Sequence, residues 1–174
     1  MQKRAAFIIR PARIDDVDAI SALGRQLNES QGDPTDYFLP AAVLEHVFGS
    51  RPRIRVFVAD LDGEIAGYAS HTPSYESGWA APGYYLCDLF VAPEHRRRGI
   101  ARALVAAVAN RAKAEGCVYL WWASTPGNRE AHAFYGTLGA TREVILAHAL
   151  VAEEFDKLSA EYQGASSVPP RNWR

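Results

Sequence analysis

The stretch from Tyr84 to Glu115 constrains this chain more than any other part of it. An apolar run of strand length, Tyr84 to Val91, leads through Pro93-Glu94-His95-Arg96-Arg97-Arg98 to Gly99. An alanine-rich helix, Ile100 to Glu115, follows, and Gly116 ends it. The sequence then returns to strand character over 118–124. A strand that feeds a helix and then another strand closes a crossover, so the two strands lie parallel. The expected class is α/β with a mixed sheet.

The flanking segments supply the antiparallel part. Phe7-Ile8-Ile9-Arg10-Pro11 reads as a strand closed by proline, and Asp15 as the N-cap of a helix with Val17, Ile20, Leu23 and Leu27 on one face. A polar loop is expected over 28–36, then a helix from Pro40 to Phe48 with Gly49 as its left-handed end. Residues 55–60 and 64–70 flank Asp62-Gly63, a pair suited to a hairpin turn with positive φ. A loop is expected over 72–82, a helix capped by Asn128 and ended by Gly139, a strand over 142–150 and a short helix over 152–160. The length of 174 residues, with 48% hydrophobic and 22% charged, suits one domain over 1–163 followed by a tail at 164–174. The tail, with Gly, Ser and Pro169-Pro170, is expected to be loose or packed as a strap, and a homodimer is compatible with either.

Composition narrows the function. A net charge of -1 gives no general attraction to nucleic acid or to an anionic membrane, so any basic site must be local. Neither a signal-type apolar run nor a span-length one is expected, and Cys87 and Cys117 are too few for a disulfide scaffold. A cytoplasmic setting is the expectation. The five histidines, at 46, 71, 95, 132 and 148, have no metal-ligand spacing, so no metal is expected.

The turn from Arg96 to Ala101 carries the first chemical signal. A helix start presents amides without intrahelical acceptors, and Gly99 and Ala101 let a ligand oxygen approach while three arginines add charge. A pyrophosphate suits such a turn, although a solvated basic turn or a nucleic-acid patch uses the same residues. Arg96-Arg97-Arg98-Gly99-Ile100-Ala101 resembles the Gln/Arg-x-x-Gly-x-Gly/Ala signature of the GNAT superfamily of N-acetyltransferases. Asn128 to Ala140 resembles that family's second cofactor motif, and Ile9-Arg10-Pro11-Ala12 with Asp15-Asp16 resembles its opening. The strand Tyr85 to Val91 looks most like that of the spermidine/spermine (diamine) type.

The resemblance implies the GNAT fold, with a splayed central strand pair, and acetyl-CoA as co-substrate. It places the pyrophosphate on the amides of Arg97, Arg98, Gly99, Ile100, Ala101 and Arg102, with Arg96 opening the motif. An amide near Phe90 or Val91 would polarise the thioester carbonyl. Asn128 would bind the cofactor arm or serve as a plain N-cap. Tyr135 would protonate the departing thiolate, a task that suits a phenol because it stays protonated near neutrality. The residue alone reads equally as a core aromatic beside Phe134.

The general base is less marked. A glutamate usual in the diamine type is replaced by Cys87, which reads as a thiol facing the substrate cleft or as a small buried residue; Asp88 is the candidate base or a structural acceptor for nearby donors, and His71 could also face the acceptor. Strict alternation would put Leu86, Asp88 and Phe90 on one face of the strand. Glu29, Asp33 and Asp36, with Glu76, could attract a cationic amine, or could belong to solvated loops. The expected reaction is direct acetyl transfer to a primary amine of a small molecule, diamine-like in preference. An amino acid, an aminoglycoside, a peptide N-terminus and a non-catalytic CoA-binding module are the alternatives.

Overall fold

The computed structural model describes residues 7–162. The chain forms two compact units, one running through Phe134 and one beginning at Tyr135. The expected tail at 164–174 lies outside the described residues.

The first unit is built on a five-stranded mixed sheet in sequential order, β1 (Ile8–Pro11), β2 (Arg55–Leu61), β3 (Glu64–Glu76), β4 (Ala81–Val91) and β5 (Leu120–Trp121). The first four strands pair antiparallel, and β5 runs parallel to β4. Asp62 and Gly63, with φ of 54° and 95°, make the expected tight turn. Two helices, α1 (Val17–Gln31) and α2 (Pro40–Phe48), contribute to one face. There Ile20, Leu23, Leu27 and Val43 close over Val56, Val58, Tyr68 and Phe90. Helix α3 (Ile100–Ala114) packs against β1 through β4 with Leu104, Val105, Val108 and Ala112 buried.

Several local expectations need correction. The chain enters α1 through a 3-10 turn at Ile14–Asp16, so the carboxylate that meets a backbone amide is Asp16, which accepts from Arg13 N at 2.7 Å, and not Asp15. Residues 28–31 are helical, because the left-handed stop is Gly32 at φ 78°. Gly49 is extended, with φ -66° and ψ 176°. A Cβ there would lie 2.3 Å from Glu45 O, so its smallness rather than a left-handed turn is what the site uses.

The expected loop at 72–82 is instead a hairpin whose pairing runs out to Glu76 opposite Ala81. Pro73 and Pro82 suggest a loop, yet each sits within the ladder, and Pro82 O still accepts from Val118 N at 3.0 Å. The expected strand over 118–124 shortens to Leu120–Trp121.

The second unit contains the end of α4 (Arg129–Thr137), which Gly139 follows at φ 78°, and α5 (Ala152–Ala160). The strand expected over 142–150 is not formed. Among the described residues no strand pairs with its apolar run, and Val144 is 95% exposed.

Candidate active site

The site begins with a break in the alternation of β4. Ser70 stands opposite Asp88 while His71 stands opposite Leu86, so Cys87 has no counterpart on β3. Such a bulge shifts the facing of every later residue by one. Tyr84 and Leu86 therefore share the face of His71, whereas Asp88 and Phe90 share the face of Ser70 and Tyr68, and strict alternation through Leu86, Asp88 and Phe90 is overturned.

The other edge of β4 opens at nearly the same place. Pairing with β5 covers Tyr84 with Leu120 and Tyr85 with Trp121, and among the described residues no strand continues along that edge toward Val91. Ala92 donates to Ala66 O on the β3 side at 3.0 Å, so alternation turns the N–H and C=O of Val91 and of Leu89 toward the open edge, while those of Phe90 turn to β3. Arg96 Nε donates to Val91 O at 3.0 Å, its guanidinium lies 5.7 Å from the Phe90 ring centre, and Glu130 lies 3.5 Å away. The first arginine of the turn thus ties the end of β4 in place.

Past Arg96 the backbone turns outward and leads into the start of α3. Arg97 and Gly99 have φ of 61° and 87°, and Arg97, Arg98 and Gly99 are exposed. The first bond of α3 runs from Ala103 N to Gly99 O, so the amides of Ile100 and Ala101 precede the helical ladder. Among the described residues nothing lies within 4 Å of where a Cβ on Gly99 would stand, so they leave that approach open. Arg102 is exposed at the first turn of α3.

On the α1 side of the sheet, Ser70 Oγ donates to Asp88 Oδ2 at 2.5 Å. Ser70 is fully buried, and burial pushes the Asp88 carboxyl above the usual carboxylate range while the Ser70 hydroxyl pulls the other way. Cys87 is exposed, and burial of part of its side chain together with the neighbouring Asp88 pushes its thiol up, so it is not an activated thiolate. Burial raises Tyr68, and Asp88 and Cys87 add to that.

His71 belongs to the opposite face. It is 1% exposed and stacks between Phe57 at 5.7 Å and Tyr84 at 4.9 Å, and neither ring nitrogen has a partner among the described residues. Burial first, then Arg55, pushes it down to about 4, so it stands neutral at neutral pH and away from Asp88. Beside it Tyr84, Arg55 and Arg111 converge on Glu115, whose carboxyl they hold down at about 2. Sequence reading missed this network, whose members are far apart in the chain.

The remaining residues are spread out. Asn128 Oδ1 accepts from Ala131 N at 3.0 Å, the N-cap expected of it. Tyr135 is half-buried, and burial raises its phenol. Glu29 is on the solvent side of α1, where it lines a surface depression with Ala22, Arg25, Gln26 and Thr35. Asp33 and Asp36 are exposed in the α1–α2 loop, and Glu76 is at the hairpin tip, where it accepts from Gly78 N. Among the described residues no group of three metal-ligating side chains gathers, and no helix is long and apolar enough to cross a membrane.

Comparison with known proteins places the chain in a family. The profile of the acetyltransferase (GNAT) family matches residues 23–140. A thialysine N-epsilon-acetyltransferase of Bos taurus is 32% identical over 145 residues, covering 78% of this chain and 85% of that protein. A streptothricin acetyltransferase of Streptomyces lavendulae is 28% identical over 158 residues, covering 78% and 82%. Among solved structures, an aminoglycoside N-acetyltransferase in complex with CoA superposes with a TM-score of 0.69 at 25% identity, over 86% of this chain and 98% of that one. The chain belongs to the GNAT family and is an acetyl-CoA-dependent N-acetyltransferase of the diamine acetyltransferase type.

Proposed function

We propose that this enzyme acetylates a primary amine of a small aliphatic molecule, a diamine or the side-chain amine of a basic amino acid, by direct attack. The observation that carries the reading is the open edge of β4 beyond Tyr85, which ends beside the exposed turn at Gly99. The relatives named for thialysine and for L-ornithine support an amine on a short aliphatic chain.

The residues suit the co-substrate. The amides of Arg97 through Arg102 receive the pyrophosphate, Arg97 and Arg98 add positive charge, and the open approach at Gly99 accommodates it. The arm pairs with the open edge of β4, where the outward amides of Leu89 and Val91 act as fixed donors to the thioester carbonyl. Phe90 serves from below by packing in the core under Arg96. Asn128 holds the start of α4 and binds the arm.

Acetyl-CoA supplies an activated acyl group whose C–S bond breaks as the C–N bond forms. Asp88 accepts the proton of the attacking amine through water, and its raised carboxyl is a better acceptor near neutrality than an ordinary aspartate. Tyr135 returns a proton to the leaving thiolate. Cys87 lines the acceptor side, where it is neutral, and Glu29, Asp33 and Asp36 contribute a diffuse attraction for a cation.

A panel of amines tests the reading: 1,4-diaminobutane, ornithine, thialysine, an aminoglycoside and a peptide N-terminus, each scored by thiol released from acetyl-CoA. Release with the aliphatic diamine or amino acid is expected, and Tyr135→Phe should lower kcat on that acceptor about tenfold without weakening acetyl-CoA binding. Tight CoA binding with no release from any amine would leave a non-catalytic CoA-binding module instead.

A further inference from the structure

Ser70 has an environment that sheet packing alone does not explain. It occupies the middle of β3, flanked by Val56 on β2 and Asp88 on β4, and it is 0% exposed. A hydroxyl is an expensive side chain at a position where alanine would fill the same space, unless it has a partner. Its hydroxyl meets an Asp88 carboxylate oxygen at 2.5 Å, and the Cys87 thiol also interacts with it.

The bulge makes that contact. With Cys87 unpaired, Asp88 falls opposite Ser70 and onto the α1 side; in a regular ladder that place would fall to Cys87. The other groups facing Asp88 offer it no charge. Tyr68 on β3, and Tyr85 and Cys87 on β4, are all held protonated by burial, and the helices contribute Ile20, Leu23, Leu27 and Val43 to that face. No cation within salt-bridge distance of Asp88 is found among the described residues.

We propose that Ser70 is a positioning residue for the transfer reaction: its hydroxyl fixes the Asp88 carboxylate and keeps it ionised at neutral pH. The proposal rests on Asp88 as the proton acceptor. A hydroxyl donor stabilises the carboxylate and not the acid, so it opposes burial without neutralising the base as an arginine would. Asp88 can then both exist as an anion and still take a proton.

The test separates the two claims. Titration of carboxyl-labelled aspartate by carbon NMR, with Asp88→Asn to identify the signal, should show the Asp88 midpoint rising by about one pH unit in Ser70→Ala. The acidic limb of kcat/KM for 1,4-diaminobutane, or for whichever amine in the panel is accepted, should rise by the same amount, while KM for acetyl-CoA stays fixed. Ser70→Thr, which keeps the hydroxyl, should restore both, and Ser70→Cys, a weaker donor of similar size, should fall between. An unmoved carboxyl titration in folded Ser70→Ala overturns the role of Ser70. A moved titration with an unmoved rate limb leaves the hold on Asp88 standing and overturns Asp88 as the acceptor.

Discussion

At the β1 edge of the sheet Arg10 is ringed by two carboxylates, whereas next to the open edge Asp88 has one hydroxyl. Both clusters lie on the α1 side of the same sheet. Arg10 bonds Asp16 through Nη1 and Nη2 at 2.7 and 2.9 Å, and Asp60 through Nε at 2.9 Å. The guanidinium holds the Asp16 carboxyl below the usual range, the Gly63 amide and then the guanidinium do the same for Asp60, and Asp16 in turn accepts from Arg13 N. Here charge is fully met, and the cluster staples β1 and β2 to the start of α1. At Asp88 charge is only partly met, and the carboxyl is raised rather than lowered. On the proposed role of Asp88, the group that changes protonation state is denied the cation that a structural group receives.

The largest expected effect breaks the first cluster. Arg10→Ala leaves Asp16 and Asp60 facing each other without a cation and should cost about 3 kcal/mol, read from the denaturant midpoint at neutral pH. Lowering the pH should narrow the gap to wild type. The wild-type carboxyls have depressed pKa values, so their stabilisation is present above the ordinary range and lost as they protonate in acid.

Asp88→Asn sharpens the contrast, because it removes a carboxylate that is desolvated and unpaired. Stability should hold or rise, while kcat/KM with the accepted amine falls about a hundredfold. A loss of stability comparable to that of Arg10→Ala would make Asp88 a structural anion too.

Gly99→Glu probes the turn where the proposed site would meet the charge of the pyrophosphate chiefly with amides. Its positive φ and the added carboxylate should weaken acetyl-CoA binding at least tenfold by calorimetry, more than Arg98→Ala does. The smallest effect belongs to the outer loop. Asp33→Asn with Asp36→Asn should raise KM for the diamine about twofold and leave that for acetyl-CoA unchanged, since both residues are exposed and screened.

What the sequence made legible was what local chemistry decides. The Asp62-Gly63 turn, the stops at Gly116 and Gly139, the cap at Asn128 and the glycine turn before α3 each follow from one or two residues. What stayed hidden depends on partners distant in the chain. The hairpin from Glu64 to Val91 is held by cross-strand pairing that its two prolines disguise, and 142–150 has strand-like residues but no strand to join among the described residues. Asp88 was visible as a candidate, but Ser70 was not, because only the register brings them together. The place of His71 at the end of a strand allows either core packing or the cleft, and the register decides for packing on the face opposite Asp88.

The bulge at Cys87 separates the bend of β4 from its register. Replacing Cys87 by alanine or serine keeps the number of residues, and Asp88 still meets Ser70. Deleting it would join Leu86 directly to Asp88, and a regular ladder would keep Leu86 opposite His71, Asp88 opposite Ser70 and Phe90 opposite Tyr68. What the deletion would remove is the local kink and added twist that a bulge gives its strand, just where β4 parts from β5 beyond Tyr85. A lineage carrying this strand can therefore vary the letter at position 87 without moving Asp88, because what the extra residue supplies is the shape of the strand and not the faces of its neighbours.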